Sequence, residues 1–353
     1  MKNKNILLYA AVLLTGISSC TKDNPAFDKS ADERLNETLE KYQEQLSGSA
    51  SGWKAVIEPA GGGSFGFYLK FSADNRVVMY ADYNAQTAST SMESSYRLKA
   101  LQQPSLIFDT YSYIHLLADP NENAGVISNV NGGPVGQGLR SDFEFYFDGS
   151  SPDTIHLKGR FNGSRATLIR ATQAEATRYN NGELAVPVLF NNISKYWEYF
   201  LRTTIGGAEY EIKVDSVQRK LSFSWLDGTG ALQTFTTSYS FTLDGVQLAD
   251  ALVNGAQTIS SLTNLSWNAS TTTLGFSVNG SNAVVAGANK PIKVDPNAAQ
   301  QWWLRSYNAA SYYSSYSGFR VNGVDDAFGI TRLPGFYALS YWAWYETFSG
   351  IPF

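Results

Sequence analysis

The sequence predicts a mainly β protein with minor α content, built from two tandem antiparallel β-meander domains that are barrel- or sandwich-like. Three observations predict this fold. Short runs rich in β-branched and aromatic residues alternate with turn residues between positions 53 and 169. A partial internal repeat follows them, and helical periodicity is confined to a segment before the first domain and a connection between the two. The predicted order is signal peptide 1–19, tether 20–29, N-terminal helix 30–48, first β domain 49–171, helical connection 172–201, and second β domain 202–353 with an aromatic-rich C-terminal region.

The first 20 residues have the pattern of a secretory signal. Lys2 and Lys4 precede an apolar stretch over residues 6–14, and small residues lead to Cys20, the only cysteine in the chain. Residues 17–20 resemble the lipobox of bacterial lipoproteins, which predicts cleavage before Cys20 and acylation of its thiol. The acyl chains are then the predicted membrane contact. The charged residues at 21–24 favour attachment to the outer membrane and display at the cell surface.

Composition argues against nucleic acid as a partner. The chain has 27 Lys and Arg residues, and removing Lys2 and Lys4 leaves 25 against 31 Asp and Glu, a mature net charge of −6. Such a balance repels phosphate. Charged residues make up 16% of the chain and aromatic residues 14%, which is typical of exported β proteins.

The N-terminal helix is predicted from its cap and its spacing. Ser30 and Glu33 form a capping-box pattern, and Gly48 marks the end of the helix. Between them, apolar residues share one helical face: Leu35, Leu39, Tyr42 and Leu46.

The first β domain is predicted from seven strand-like segments, at 65–71, 76–80, 94–98, 106–108, 143–147, 154–157 and 166–169. A long segment rich in Asn, Gly and Pro interrupts them at 110–140, and loops of that length are commonly functional or mobile. The second domain is predicted from partial echoes of the first. Residues 94–98 and 106–108 resemble 237–241 and 246–248, and residues 155–169 resemble 262–278.

The connection between the two domains is predicted to contain two helices, over 172–179 and 193–201. The second would place its apolar residues on one face: Ile193, Tyr196, Trp197, Phe200 and Leu201.

The glycine-rich segment 61–66 fits two catalytic patterns, G-x-S-x-G and G-x-G-x-x-G. Both patterns require a preceding strand and a following helix. Here Pro59 precedes the glycines and a strand-like segment follows, so a glycine turn is the better interpretation.

The other chemical motifs are weak. His115 and His156 each have a nearby carboxylate, Asp119 and Asp153. Both histidines lie in strand-like segments, and the sequence favours hydrogen-bonded histidines on a sheet over metal ligands. Residues 119–125 begin like a calcium loop but lack its later ligands, so an Asn-rich turn is favoured. Thr154 and Ser216 fit a three-residue O-glycosylation motif. No catalytic residue, metal or cofactor is predicted.

The C-terminal region is rich in aromatic residues. The candidate ligand-binding residues are Trp302, Trp303, Tyr341, Trp342, Trp344 and Tyr345. If these rings are exposed, they can stack on sugars or pack against peptide side chains. If they are buried, they complete the core of the second sheet. Aromatic residues lie on both faces of the segment 338–345 and cannot all belong to one core, so an exposed binding platform and packing in a core or between domains both remain open.

The lipobox, Gly52-Trp53, the segment 108–115 with Asp119-Pro120, and residues 157–159 together resemble a domain-of-unknown-function family of Bacteroidota surface lipoproteins. The resemblance covers most of the mature chain and is clearest before residue 180. It implies an accessory role beside an uptake system of the starch-utilisation type, which combines a TonB-dependent porin with a ligand-binding lipoprotein. It carries over no catalytic residues.

The sequence therefore predicts a non-catalytic, membrane-tethered accessory lipoprotein that binds an oligosaccharide or a peptide. Two alternatives remain open. One is a structural subunit of an outer-membrane protein complex. The other is a hydrolase that uses paired carboxylates, because Asp and Glu occur widely along the chain.

Overall fold

A computed structural model describes residues 29–120, 138–196, 198, 200–216, 218–310, 312–320 and 325–342. The predicted signal peptide and tether, Cys20, the calcium-like turn beyond Pro120, most of the 110–140 loop, Trp344 and Tyr345 lie outside these residues. In the part of the chain that is described, no helix is both long and apolar enough to span a membrane.

The N-terminal helix α1 is Ala31–Ser47. Its predicted capping box is confirmed, because the Glu33 N–H donates to the Ser30 side chain and the Ser30 N–H donates to the Glu33 carboxylate. Gly48 is the C-cap, as predicted. In the same last turn of the helix, the Trp53 indole N–H donates to the Leu46 carbonyl at 3.0 Å, which anchors α1 to the first barrel.

The first barrel closes on itself through eight antiparallel strands in chain order. Each strand pairs with the next, and β1 pairs with β8 with Trp53 opposite Arg170. Two short helices, α2 (Ala85–Ser89) and α3 (Tyr113–Leu116), lie in its connections. Its strands are β1 Trp53–Glu58, β2 Phe65–Phe71, β3 Arg76–Ala81, β4 Met92–Ala100, β5 Pro104–Phe108, β6 Glu144–Ser151, β7 Thr154–Gly159 and β8 Arg165–Arg170.

The second barrel has the same topology and closes by pairing β16 with β9. Its strands are β9 Phe200–Ile205, β10 Ala208–Asp215, β11 Lys220–Leu226, β12 Leu232–Thr242, β13 Gly245–Asn254, β14 Gln257–Asn268, β15 Thr273–Val278 and β16 Ser281–Ala288. The predicted fold class, two tandem antiparallel β domains after an N-terminal helix, is thus confirmed, and the barrel form is the one adopted.

Apolar side chains fill the first barrel. Residues alternate along each strand, so that Trp53, Ala55 and Ile57 of β1 point inward. They join one buried cluster with large side chains from the other strands, including Phe65, Phe67, Phe71, Phe108 and Phe145. Eight-stranded barrels are just wide enough for side chains to occupy the interior, which explains this filling.

The two barrels repeat each other at residue level. Asn75 precedes β3 with φ +61° and its carbonyl accepts from the Tyr96 N–H of β4. Arg219 precedes β11 with φ +51° and its carbonyl accepts from the Tyr239 N–H of β12 in the same way. The segments 94–98 and 237–241 therefore occupy the fourth strand of their barrels. The second predicted echo is offset, because 155–169 lies in the seventh and eighth strands and 262–278 in the sixth and seventh.

The connection between the barrels contains α4 (Gln173–Asn180), whose N-terminus is capped by Thr172 and Glu175. This helix was predicted. The helix predicted over 193–201 is wrong, because 3₁₀ helices span Glu183–Ala185 and Pro187–Lys195, and β9 begins at Phe200. Ile193 is nevertheless buried, since the 3₁₀ helix packs its apolar side against the second barrel.

The described part of the tail forms separate elements. They are helix α5 (Ala298–Asn308), strands β17 (Tyr312–Ser315) and β18 (Leu339–Trp342), and a 3₁₀ turn at Ile330–Arg332. β17 and β18 pair only with each other among the described strands. The alternative in which the tail completes the second sheet is therefore wrong for these residues, because β9 and β16 already close that barrel.

Candidate binding surfaces

The tail residues predicted to bind ligand fall on two elements. Trp302 and Trp303 lie in α5, and the Trp303 ring is partly exposed and stacks on Tyr307 with centroids 5.2 Å apart. Tyr341 and Trp342 lie in β18, where Trp342 is paired with Tyr312 and Tyr341 with Tyr313. Tyr341 is half-buried. Four of the six candidates therefore lie on two elements, α5 and β18, and the other two, Trp344 and Tyr345, lie outside the described residues.

Other tail tyrosines are strongly exposed. Tyr312 and Tyr313 of β17 are 61% and 50% exposed, and Tyr316 and Tyr337 are 64% and 80% exposed. The rings of Tyr316 and Tyr337 make an edge-to-face contact with centroids 5.6 Å apart. We call these four residues the tail aromatic surface. None of the four is among the six tail residues that the sequence predicted to bind ligand.

A two-stranded sheet explains why these rings remain in solvent. β17 has only four residues, and its Ser314 hydroxyl lies 2.7 Å from that of Ser340 across the pair. Successive side chains point to opposite faces, so Tyr312 and Tyr313 cannot both be covered by a single layer of protein. The strand pair therefore exposes the rings of Tyr312 and Tyr313 to solvent, next to the hydroxyls of Ser314 and Ser340.

His115 lies in α3, so its predicted strand-like setting is wrong. The Ser112 N–H donates to Nδ1 at 3.1 Å, which places the ring proton on Nε2, and Nε2 donates to the Phe108 carbonyl at 3.2 Å. The ring is 9% exposed, and burial lowers the pKa of His115. Both nitrogens are thus already engaged in structural hydrogen bonds.

His156 lies in β7, as predicted, with its side chain exposed. Its Nδ1 is 3.4 Å from the Thr167 hydroxyl. Among the described residues, no group of three or more His, Cys, Asp or Glu side chains could hold a metal ion. Asp119 instead accepts a hydrogen bond from the Tyr111 hydroxyl.

The glycine-rich segment is a turn, as interpreted from its context. Gly62 and Gly63 have φ of +102° and +87°, values that L-residues rarely adopt, and β2 begins at Phe65. Ser64 is buried, unlike an exposed hydrolase nucleophile. The two candidate glycosylation residues are both half-buried, Thr154 at the start of β7 and Ser216 in the turn after β10.

A buried ion pair between the barrels was missed by sequence analysis. Arg219 is 1% exposed and Asp82 is fully buried, and the shortest N–O distance between them is 3.2 Å. Nothing in their sequence positions, 137 residues apart, indicated the pair.

Beside this pair, a cleft of about 360 Å³ separates the two barrels. The ion pair between Lys54 and Glu175, at 2.6 Å, lies at its edge, and the side chains of Ile169 and Gln247 also line it. Because Lys54 and Glu175 neutralise each other, the cleft offers no unpaired charge from these two residues to attract a ligand.

A family model for a domain of unknown function, DUF4302, matches residues 23–269. The chain belongs to the DUF4302 family. The match extends from before α1 to the end of β14, so this DUF4302 domain includes the first barrel, the connection and six strands of the second barrel. The Asp82 and Arg219 pair lies inside the match, whereas the tail aromatic surface lies beyond it.

Curated proteins and solved structures were also compared with this chain. No curated protein matches this DUF4302 chain. A solved structure of a lipocalin-like protein from Bacteroides uniformis is 15% identical, and the match covers 36% of this chain and 99% of that one, with a TM-score of 0.22.

Proposed function

We propose that this protein is a non-catalytic accessory lipoprotein, held at the outer membrane by acyl chains on Cys20, that binds an oligosaccharide or peptide at the cell surface. The observation that supports ligand binding is the exposure of Tyr312, Tyr313, Tyr316 and Tyr337. Its partners would be a TonB-dependent porin and the ligand-binding lipoprotein of that porin, an assignment that rests on the family resemblance.

Exposed tyrosines suit capture of such ligands. A tyrosine ring offers apolar area at low conformational-entropy cost and a hydroxyl that donates and accepts hydrogen bonds. Grouped exposed aromatic residues commonly mark interaction surfaces in soluble domains. Because large side chains fill the first barrel and the second barrel likewise contains a buried cluster, we place ligand binding on outer surfaces.

The test is calorimetric titration of the full chain in detergent with maltoheptaose, cellohexaose, hexagalacturonate and a random hexapeptide mixture. We expect at least one probe to bind, and we expect the double substitution Tyr312→Ser and Tyr337→Ser to weaken that binding roughly tenfold. Val253→Ser is the matched control, because Val253 is an exposed apolar residue on β13 of the second barrel. Absence of binding by every probe would contradict the proposal.

The competing role as a structural subunit has its own outcome. Affinity purification from membranes would then recover a stable protein partner whose retention is unchanged by the tyrosine substitutions. That result, together with no response to any saccharide or peptide, would favour assembly over ligand capture.

A further inference from the structure

We propose that the rim of the first barrel carries a saccharide-binding pocket formed by Arg140, Ser141, Phe143, Phe161 and Asn162, which we call the rim pocket. This inference deepens the proposed function, on which it rests, by naming the ligand class and adding a second binding surface. The residues line a cavity of about 400 Å³, together with Ala118 and Asp142. That volume lies within the range of small-molecule sites.

Two phenyl rings of the rim pocket face solvent. Phe161 is 76% exposed, in the turn between β7 and β8, and Phe143 is 37% exposed, just before β6. Single exposed apolar residues are ordinary, but here two exposed phenylalanines line the same cavity.

The turn that carries Phe161 is held rigidly. The carboxylate of Asp142 accepts from the N–H groups of Phe161 and Asn162, each at 2.9 Å, and from that of Ser164 at 3.0 Å. Asp142 is 2% exposed, and a Cβ at Gly159 would lie 2.0 Å from its Oδ2. The backbone around the exposed Phe161 is therefore preorganised, and this lowers the entropy cost of ligand binding.

The other ring is also supported from behind. Phe143 stacks on His115 with centroids 4.8 Å apart, and Tyr111 stacks on the same imidazole at 5.5 Å. His115 is fixed in turn by its hydrogen bonds to Ser112 and Phe108. These three rings therefore form a layered wall next to the cavity.

The polar residues of the rim pocket have unused hydrogen-bonding capacity. Within the described part of the chain, the buried hydroxyl of Ser141 has no hydrogen-bond partner, which is a cost unless a water or a ligand satisfies it. Arg140 is exposed and forms no ion pair with a carboxylate among the described residues; its side-chain hydrogen bond to the Ala60 carbonyl is long, at 3.4 Å.

Arg140 also has φ +50°, a conformation that is uncommon for a residue with a side chain. Backbone strain of this kind clusters at functional sites, where the surrounding structure maintains it. Strain, an unsatisfied hydroxyl and two exposed rings thus coincide at one cavity.

A saccharide matches this combination. One face of a sugar ring presents C–H groups that pack on a phenyl ring, and its edge presents hydroxyls that accept from guanidinium and amide N–H groups. A peptide bound as an added strand does not match, because β6 pairs with both β5 and β7, and β7 with both β6 and β8, which leaves no free edge there.

The test is titration of the full chain with maltoheptaose, cellohexaose and hexagalacturonate, alongside the variants Phe161→Ala and Arg140→Gly. Phe161→Ala should weaken saccharide binding at least roughly tenfold without lowering the melting temperature, because the side chain is exposed. Arg140→Gly removes the guanidinium while relieving the backbone strain, so binding should fall while stability is kept. Leu226→Ala, at an exposed apolar residue of β11, is the matched control.

The outcomes separate this inference from the proposed function. Saccharide binding that Phe161→Ala leaves intact but the tail tyrosine substitutions abolish would overturn the rim pocket alone. Binding of the hexapeptide mixture without any saccharide would also overturn the rim pocket while supporting the proposed function. No binding of any probe would overturn both.

Discussion

Arg219 of the second barrel forms an ion pair with Asp82 of the first in an environment closed to solvent. The guanidinium also donates to the Asp82 carbonyl at 2.7 Å and lies over the Phe241 ring at 4.5 Å. The Asp82 carboxylate accepts further from the N–H groups of Gly66 and Phe241, one in each barrel. Burial raises the pKa of Asp82, and the charge of Arg219 opposes that effect. This pair therefore fixes how the two barrels meet.

Removing one partner of this ion pair should be strongly destabilising. Arg219→Met keeps much of the side-chain volume but leaves Asp82 buried without its cation, which typically costs about 3–5 kcal/mol. We expect chemical unfolding to shift to lower denaturant, and the two barrels to unfold in separate transitions.

The double variant Asp82→Asn with Arg219→Met is the control, because it removes both charges. It should recover part of the loss, and the double-mutant cycle would measure the coupling. If the stability lost in the double variant equals the sum of the losses in Asp82→Asn and Arg219→Met, the pair does not couple the barrels.

Close backbone approach at the junction depends on Gly66. A Cβ there would lie 2.6 Å from the Phe241 carbonyl oxygen and 3.0 Å from the Asp82 carboxylate. Gly66→Ala should therefore destabilise the protein by about 1–3 kcal/mol, the usual range for overpacking. Gly149→Ala is the matched strand control, since a Cβ at Gly149 meets nothing within 4 Å. Equal melting temperatures for the two variants would contradict this prediction.

Two equivalent tyrosines should respond differently to loss of the hydroxyl. The Tyr96 hydroxyl donates to the Ser72 carbonyl and accepts from Gln43, both at 2.8 Å. The Tyr239 hydroxyl is buried and has no hydrogen-bond partner among the described residues. Tyr96→Phe should cost about 1 kcal/mol or more in the free energy of unfolding, whereas Tyr239→Phe should be neutral or stabilising. The opposite order would contradict this assignment of hydrogen-bond partners to the two hydroxyls.

Acid should destabilise the protein through His115. Its folded-state pKa is lowered by burial, so the unfolded state binds the proton more tightly, and stability falls as pH drops below the unfolded value. One such group contributes at most about 1.4 kcal/mol per pH unit. Denaturant unfolding at about pH 7.5 and about pH 5.5 should show this loss in the wild type and less of it in His115→Gln. His156→Gln, at an exposed histidine, should keep the wild-type difference.

Local sequence rules predicted much of the fold. The capping box at Ser30 and the strand Phe65–Phe71 were located correctly because short-range hydrogen bonding and alternation determine them. The echo of 94–98 at 237–241 predicted a second β domain, and the structure shows that this domain is a closed barrel.

The failed predictions and the contacts that the sequence did not predict have physical reasons. Residues 193–201 have helical spacing, yet Phe200 and Leu201 pair as β9, so tertiary pairing overrode local periodicity. His115 lies in a four-residue helix whose short length gives no periodic signal. The rim pocket depends on how the strands and connections of the first barrel come together, and the Asp82 and Arg219 pair depends on how the two barrels pack. Local sequence patterns determine neither.

The intact mass of the protein extracted from native membranes tests the central claim most directly, because location at a lipid surface underlies the proposed ligand capture. We expect a chain that begins at Cys20 and carries the added mass of acyl groups, and we expect Cys20→Ala to abolish both the added mass and membrane recovery. A full-length chain with an unmodified Cys20, recovered from the soluble fraction, would contradict the account.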